Sequence, residues 1–205
     1  MLEGRFITLV PLNVGHAADL FVAAARPEIW RYMPIRGFSS IADVERWIEG
    51  AHESAADGHE QPFAIVDNAS GEAIGSTRYL DIKTAERAVE IGWTWLAPAH
   101  QRTPANTEAK FLLLREAFDA RDLLRVAFFT DAQNGRSRAA LVRLGATYEG
   151  TLRCHRARAI NHFERDSALY SIVATEWRKV RTDLERRLAK PPRFGTGALI
   201  NRSDP

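Results

Sequence analysis

The sequence predicts a single mixed α/β domain, a mostly antiparallel sheet flanked by helices, and three observations carry that expectation. Strand-like runs follow one another at residues 62–67, 73–82 and 89–96, with Asn68-Ala69-Ser70-Gly71 as turn material between the first two. Helix and strand patterns then alternate as far as Lys190. A chain of 205 residues, 45% hydrophobic and 26% charged, has the size and composition of one ordinary globular core.

Taken in order, residues 5–12 (RFITLVPL) alternate apolar and polar side chains as a strand does, and residues 14–25 place Ala17, Leu20 and Ala24 at helical spacing. Pro27 and Pro34 interrupt the pattern. Ser40 then caps a second helix with Val44, Trp47 and Ile48 on its apolar face, ending near Asp57-Gly58. The three-strand meander comes next. A helix over residues 106–121 carries Phe111, Leu114 and Phe118 on one side, and residues 125–130 form a short apolar run of the buried-strand kind. A helix over residues 134–144 stops at Gly145, a residue suited to a left-handed cap. Residues 147–155 and 166–174 read as a last pair of strands, and a helix from Thr175 repeats apolar residues at Trp177, Val180, Leu184 and Leu188. The domain is expected to span residues 1–190. Residues 191–205, rich in Gly, Pro and polar residues, read as a mobile tail.

Composition excludes several classes of function. No stretch approaches the ~18 apolar residues of a membrane span, and the N-terminus lacks the basic-then-apolar order of a signal peptide, so a cytoplasmic protein with no membrane partner is expected. Cys154 stands alone, which excludes an internal disulfide and a cysteine-based zinc cluster; no metal is expected. Residues 151–205 hold 12 Lys+Arg against 6 Asp+Glu, but without the interleaved aromatics of a nucleic-acid groove, and no nucleic-acid partner is expected. No G-x-G-x-x-G follows an early strand, which speaks against a dinucleotide-binding fold.

Residues 89–110 (VEIGWTWLAPAHQRTPANTEAK) set a loop with few bulky side chains between a strand and the start of a helix. The first N–H groups of a helix lack internal partners and sit at the positive end of its dipole, so such a junction can hold phosphate. Asn106 is equally an ordinary N-cap. The sequel adds Asp131-Ala132-Gln133-Asn134-Gly135-Arg136-Ser137, then Leu144-Gly145-Ala146 and Glu149-Gly150.

With these motifs in this order, the chain from Arg5 to about Lys190 resembles the GNAT acetyltransferases, and more narrowly their RimJ/RimL-type branch, whose members modify ribosomal-protein N-termini or small amines. The resemblance implies a seven-stranded sheet splayed between its fourth and fifth strands. It implies acetyl-coenzyme A as cosubstrate and direct transfer to a primary amine, either a protein N-terminus or a small molecule, without a covalent enzyme intermediate, by a monomer or homodimer. The alternative is a non-catalytic domain of the same fold that binds acyl-coenzyme A. By the same resemblance Trp95, Leu96 and Ala97 pair with the pantetheine arm and leave a backbone N–H for the thioester carbonyl. Gln101, Arg102, Thr103, Ala105, Asn106 and Thr107 surround the pyrophosphate. Asn134 bonds the pantetheine, and Ser137 returns a proton to the departing thiolate.

Trp93 and Trp95 also have the spacing of plain sheet packing. Of the family's loop pattern Q/R-x-x-G-x-G/A only Gln101 matches; Pro104 and Asn106 occupy the glycine positions, and Pro104 has no N–H to donate, which implies weaker or shifted coenzyme binding. The attacking amine must be neutral, so a base is needed. Glu90 is the first choice, with Glu149 and His155 as alternatives. Arg156 stands where some ribosomal-protein-modifying relatives carry a glutamate. Trp30, Tyr32, Met33, Arg153, His155 and the loop at residues 157–163 are expected to shape the acceptor pocket.

Overall fold

The computed structural model describes residues 1–157 and 164–190. The expected tail at 191–205 and the acceptor loop beyond Ala157 lie outside the described residues. In chain order the elements are β1 (Leu2–Glu3), β2 (Ile7–Pro11), a 3-10 turn at Val14–His16 leading into α1 (Ala17–Ala23), α2 (Ile41–Ala55), β3 (Gln61–Asp67), β4 (Ala73–Lys83), β5 (Ala88–Leu96), α3 (Pro104–Arg115), β6 (Arg125–Asp131), α4 (Gly135–Leu144), β7 (Thr147–Ala157), β8 (Glu164–Val173) and α5 (Ala174–Leu188).

All strands join one sheet in the order β1-β2-β3-β4-β5-β6-β8-β7. The sheet has eight strands rather than the expected seven because Leu2 and Glu3 pair with Leu9 and Thr8. Two residues are too few to show a period. Every pairing is antiparallel except β5 with β6, which is parallel and lasts only from Ala88↔Arg125 to Glu90↔Ala127. Beyond Glu90, β5 stays with β4 as far as Leu96, while β6 stays with β8 as far as Asp131. The two halves of the sheet therefore diverge, as the splay requires.

A bulge lies at the divergence. Ser76 opposes Trp95 and Arg78 opposes Gly92, so Thr77 alone faces both Trp93 and Thr94. Trp93 takes a φ of 49°, in the left-handed region. An extra residue of this kind bends its strand and increases its twist, which turns the end of β5 away from β6.

Helix ends follow local chemistry. Ser40 caps α2 by accepting from Asp43 N–H at 3.2 Å, and Gly145 ends α4 at φ 99°, where a Cβ would lie 3.1 Å from Val180 Cγ2. Helix α3 begins two residues before the expected Asn106. Thr103 is its cap, accepting from Ala105 N–H at 3.2 Å, and Pro104 takes the first helical position, where a missing N–H breaks no helical bond. After Arg115 the chain continues through a π turn at Glu116–Ala120, with Arg121 N–H on Glu116 C=O at 3.0 Å, so the expected single helix to Arg121 has a change of pitch near its end.

The sheet separates two cores. Ile7, Leu9, Phe63 and Ile65 pack with α3, α4 and α5 through Leu112, Leu113, Leu144, Trp177 and Leu184. Ala64 and Trp95 pack instead with α1 and α2 through Leu20, Val44 and Ile48. Alternation of side chains along a strand puts these sets on opposite faces. One polar anchor runs through the first core: the buried Glu108 carboxylate of α3 accepts the backbone N–H groups of Arg5 (2.8 Å), Phe6 (2.6 Å) and Ile7 (2.8 Å). It thereby fixes the entry of β2 and the depth of the helix whose N-terminus forms part of the site below.

Candidate active site

The wedge between β5 and β6 has Glu90 at its apex. Glu90 is the last β5 residue paired to β6, its side chain is 7% exposed, and its carboxylate accepts from Arg156 Nη2 on β7 at 3.2 Å. Burial pushes its pKa above the ordinary carboxylate value; Arg156 and, more weakly, Arg165 oppose that rise, and Asp81 adds slightly to it. Gly92 leaves the room that this carboxylate uses, since a Cβ there would lie 3.0 Å from Glu90 Oε1 and 2.7 Å from Leu80 Cδ1.

The other proposed bases differ sharply. Glu149 is held by both guanidinium nitrogens of Arg125, at 2.7 and 2.5 Å, and by the Ser171 hydroxyl at 2.5 Å, which pull its pKa down to about 2. It ties β7 across β8 to β6 and is a poor acceptor for a proton at neutral pH. His155 lies against the Phe129 ring, centroids 5.0 Å apart, with Nδ1 buried and without a hydrogen-bond partner among the described residues. Burial, then Arg156 and Arg165, lower its pKa and favour the neutral ring.

On the coenzyme side, Trp95 and Leu96 pair with Ser76 and Gly75, which engages one edge of β5 with β4. The Ala97 N–H donates to Ile74 C=O at 2.8 Å, so Ala97 does not supply the free amide expected of this segment. The opposite edge is free of β6 but is not wholly open: Gln101 Nε2 donates to Leu96 C=O at 2.9 Å, and Gln101 Oε1 accepts from Arg136 Nη2 at 2.7 Å. Gln101 thus braces the end of β5 to the first turn of α4. Arg102 is exposed at φ 63°, Thr103 is the cap, and Ala105 N–H is already bonded to it. Asn106, half-buried in the first turn, has an N–H group to which the helix offers no internal acceptor, whereas that of Thr107 is the first to find one, in the C=O of the Thr103 cap. A phosphate accepting from the Asn106 amide, flanked by Arg102 and Arg136, fits this corner, with one fewer backbone donor than a glycine at position 104 would give.

At the start of α4, Asn134 is the N-cap, its Oδ1 accepting from Ser137 N–H at 3.1 Å. The Asn134 Nδ2 and the Ser137 hydroxyl make no other hydrogen bond among the described residues, and both residues are half-buried.

The expected acceptor residues do not form one lining. Trp30 is 3% exposed, donates its indole N–H to Ala24 C=O at 2.9 Å and packs on Phe38 and Trp95, each with centroids 5.2 Å away. It belongs to the core that α1 and α2 form against the sheet. Tyr32 and Met33 are half-buried near it. Arg153 is exposed in a surface depression with Thr151, Leu152, Cys154 and Asp166, where β7 bulges and Cys154 N–H donates to Asp166 Oδ1 at 2.9 Å. His155 faces Phe129 on β6 and is nearer the Glu90–Arg156 pair.

Three residues without an expected role in the site belong to this region. Arg156 pairs with the candidate base, Arg136 braces Gln101, and Lys110, buried in α3, donates to Thr94 Oγ1 beside the bulge. Glu108 and Lys110 within an otherwise apolar run of α3 were the legible signal, since buried charges are rare without a partner or a task.

The match to known proteins agrees with this fold. The description of the acetyltransferase (GNAT) domain family matches residues 7–147. A GCN5-related N-acetyltransferase from Brucella melitensis is 31% identical, with 92% of this chain and 85% of that one superposed at a TM-score of 0.86. RimJ from Mycobacterium smegmatis, in complex with CoA-disulfide, is 23% identical with 88% of each chain covered and a TM-score of 0.76. The microcin C7 self-immunity acetyltransferase MccE, in complex with acetyl-CoA and AMP, is 24% identical over 83% of this chain and 93% of that one, at 0.73. The last two likenesses establish fold alone. No protein with a curated description matches the chain. The fold and the family match define an acyltransferase: this chain belongs to the GNAT family of acetyltransferases. No helix among the described residues is long and apolar enough to cross a membrane.

Proposed function

We propose that this protein moves an acetyl group from acetyl-coenzyme A to a primary amine, a protein N-terminus or a small molecule, by direct attack. The observation that carries the reading is the wedge at Glu90: a buried carboxylate of raised pKa at the point where β5 leaves β6, with the N-termini of α3 and α4 on its coenzyme side. Acetyl-coenzyme A supplies the thioester carbon. The Asn106 amide with Arg102 and Arg136 holds its phosphates, and the edge of β5 at Trp95 and Leu96 lies along its arm, with Asn134 Nδ2 as a further donor. Two solved relatives of this fold carry coenzyme A in disulfide form or acetyl-CoA, which supports the same ligand here.

Glu90 takes the proton of the incoming ammonium, directly or through water, while Arg156 opposes the rise in its pKa that burial causes. Ser137, with its hydroxyl unengaged, donates to the sulfur as it leaves. A covalent route has little support, because Cys154 is exposed on β7, away from the wedge. The domain is assigned to residues 1–190. The deciding experiment gives the protein acetyl-coenzyme A with a panel of amines and peptides and follows free thiol. Amine-dependent release supports the reading, and coenzyme binding without release for any acceptor contradicts it.

A further inference from the structure

Residues Glu108 to Leu114 of α3 are all buried, and Lys110 is among them at 7% exposure. Its Nζ donates to Thr94 Oγ1 at 2.5 Å, and the Thr94 hydroxyl has two acceptors for its own proton, Thr77 Oγ1 at 2.7 Å and Gly92 C=O at 3.3 Å. Among the described residues no carboxylate pairs with it. The charged and titratable groups of the surrounding elements are engaged elsewhere. Glu108 holds the amides of Arg5 to Ile7, Tyr79 of β4 donates to Leu113 C=O, and Arg115 lies over Phe111. Glu116 pairs with Arg121, and Arg181 of α5 with Asp119 and Glu185. Arg78 of β4 sits against the rings of Trp47 and Trp93 and pairs with Glu60, and Glu90 of β5 pairs with Arg156. An ammonium withdrawn from water without a counter-charge is unfavourable by several kcal/mol, and burial pushes this one down to a pKa of about 7.

The location gives the group a task. Thr94 lies on β5 beyond Glu90, where pairing with β6 has ended, and next to the bulge at Trp93. Lys110 stands one turn after Asn106, at the i, i+4 spacing that puts both on one face of α3. The amine therefore lies between the helix N-terminus assigned to the phosphates and the strand edge assigned to the pantetheine.

We propose that Lys110 is a positioning residue that becomes charged when the coenzyme binds, and that its ammonium, donating to Thr94 Oγ1, holds the bulged end of β5 in place beside the coenzyme. An ammonium has three donors and no acceptor, so Thr94 can only accept from it and gives its own proton to Gly92 C=O or Thr77 Oγ1, which closes a chain of hydrogen bonds across the bulge. An anionic coenzyme closing the cleft favours the charged form. Binding and protonation are then linked, each strengthening the other. The inference rests on the coenzyme reading of the site.

The test is calorimetric titration of the full chain with coenzyme A at pH 7.5 in two buffers of different ionisation enthalpy, repeated with dephospho-coenzyme A to remove the phosphomonoester's own proton. With a free-state pKa of about 7, the wild type should take up about 0.7 proton per coenzyme bound. Lys110→Met should abolish this uptake, and Thr94→Val, which removes the ammonium's acceptor, should reduce it. Lys110→Arg, charged at every working pH, should bind without uptake and recover part of the turnover lost in Lys110→Met. Binding by the wild type without proton uptake overturns the proposal whatever the variants do. No coenzyme binding at all overturns the coenzyme reading along with it.

Discussion

Replacing Lys110 with methionine should change how the stability of the free protein depends on pH, and the size of the effect follows from the geometry of α3. The group's pKa is about 7 in the folded chain, lowered by burial without a paired carboxylate, against about 10.4 when unfolded. Between those values the unfolded chain holds more protons, so stability rises with pH across the window and is lost as pH falls toward 7. Integrated from pH 7 to pH 9, the folded wild type should gain about 2 kcal/mol that Lys110→Met does not. Methionine has a similar length and no charge, so packing changes should be nearly constant over the window. Urea unfolding of both proteins at pH 7, 8 and 9 reads the difference directly, and groups shared by the two, such as Tyr79 and His155, cancel. Parallel stability profiles would refute the claim that Lys110 is a buried amine without a counter-charge, and would remove the basis for its proton uptake on coenzyme binding.

Other expectations concern the carboxylates and the serine. Glu90→Gln should lower kcat by roughly 10²–10⁴ with little change in coenzyme affinity, and the wild-type rate should fall as pH drops through the raised pKa of Glu90, because only the ionised form accepts a proton. Glu108→Leu leaves the amides of Arg5, Phe6 and Ile7 without their acceptor. Since water can reach the first two, denaturant unfolding should show a loss of about 2–4 kcal/mol. The depressed pKa of Glu149, about 2, means that its contribution to stability is full above the ordinary carboxylate range and disappears as pH falls through that value; acid unfolding of Glu149→Gln should diverge from wild type at pH 6 and converge with it near pH 2. Ser137→Ala should slow thiol release while leaving the melting shift with acetyl-coenzyme A intact.

Much of the fold was legible because its signals are local. Ser40 and Gly145 mark their helix ends by hydrogen bonding and backbone freedom that need no tertiary context, and the meander from Gln61 to Leu96 shows in its apolar runs and turn residues. The start of α3 was displaced because Thr103 and Pro104 form a better cap than Asn106, although the threonine and proline were there to be read. The divergence of β5 from β6 was reached only through family resemblance: the bulge that accompanies it depends on Thr77 facing both Trp93 and Thr94, a register no single strand reveals. The site was less legible for the same reason. Glu90 stands where β5 leaves β6 and Asn134 caps α4 over Ser137, but Trp30 is buried in the core under α1 and α2, Ala97 has spent its amide on Ile74, and Glu149 is bound by Arg125 and Ser171. Each outcome turns on a partner distant in sequence. Arg156 looked like the loss of a relative's glutamate, whereas its contact with Glu90 makes it the partner that opposes the protonation of that carboxylate.

The central claim is amine-dependent acetyl transfer at the Glu90 wedge, and the most direct measurement is thiol release from acetyl-coenzyme A by wild type and Glu90→Gln across a panel of small amines and peptide N-termini. The account predicts release that requires both an amine and Glu90, with acetylated acceptor formed in equal amount. Release that proceeds equally in Glu90→Gln, or firm coenzyme binding with no release for any acceptor, would contradict it.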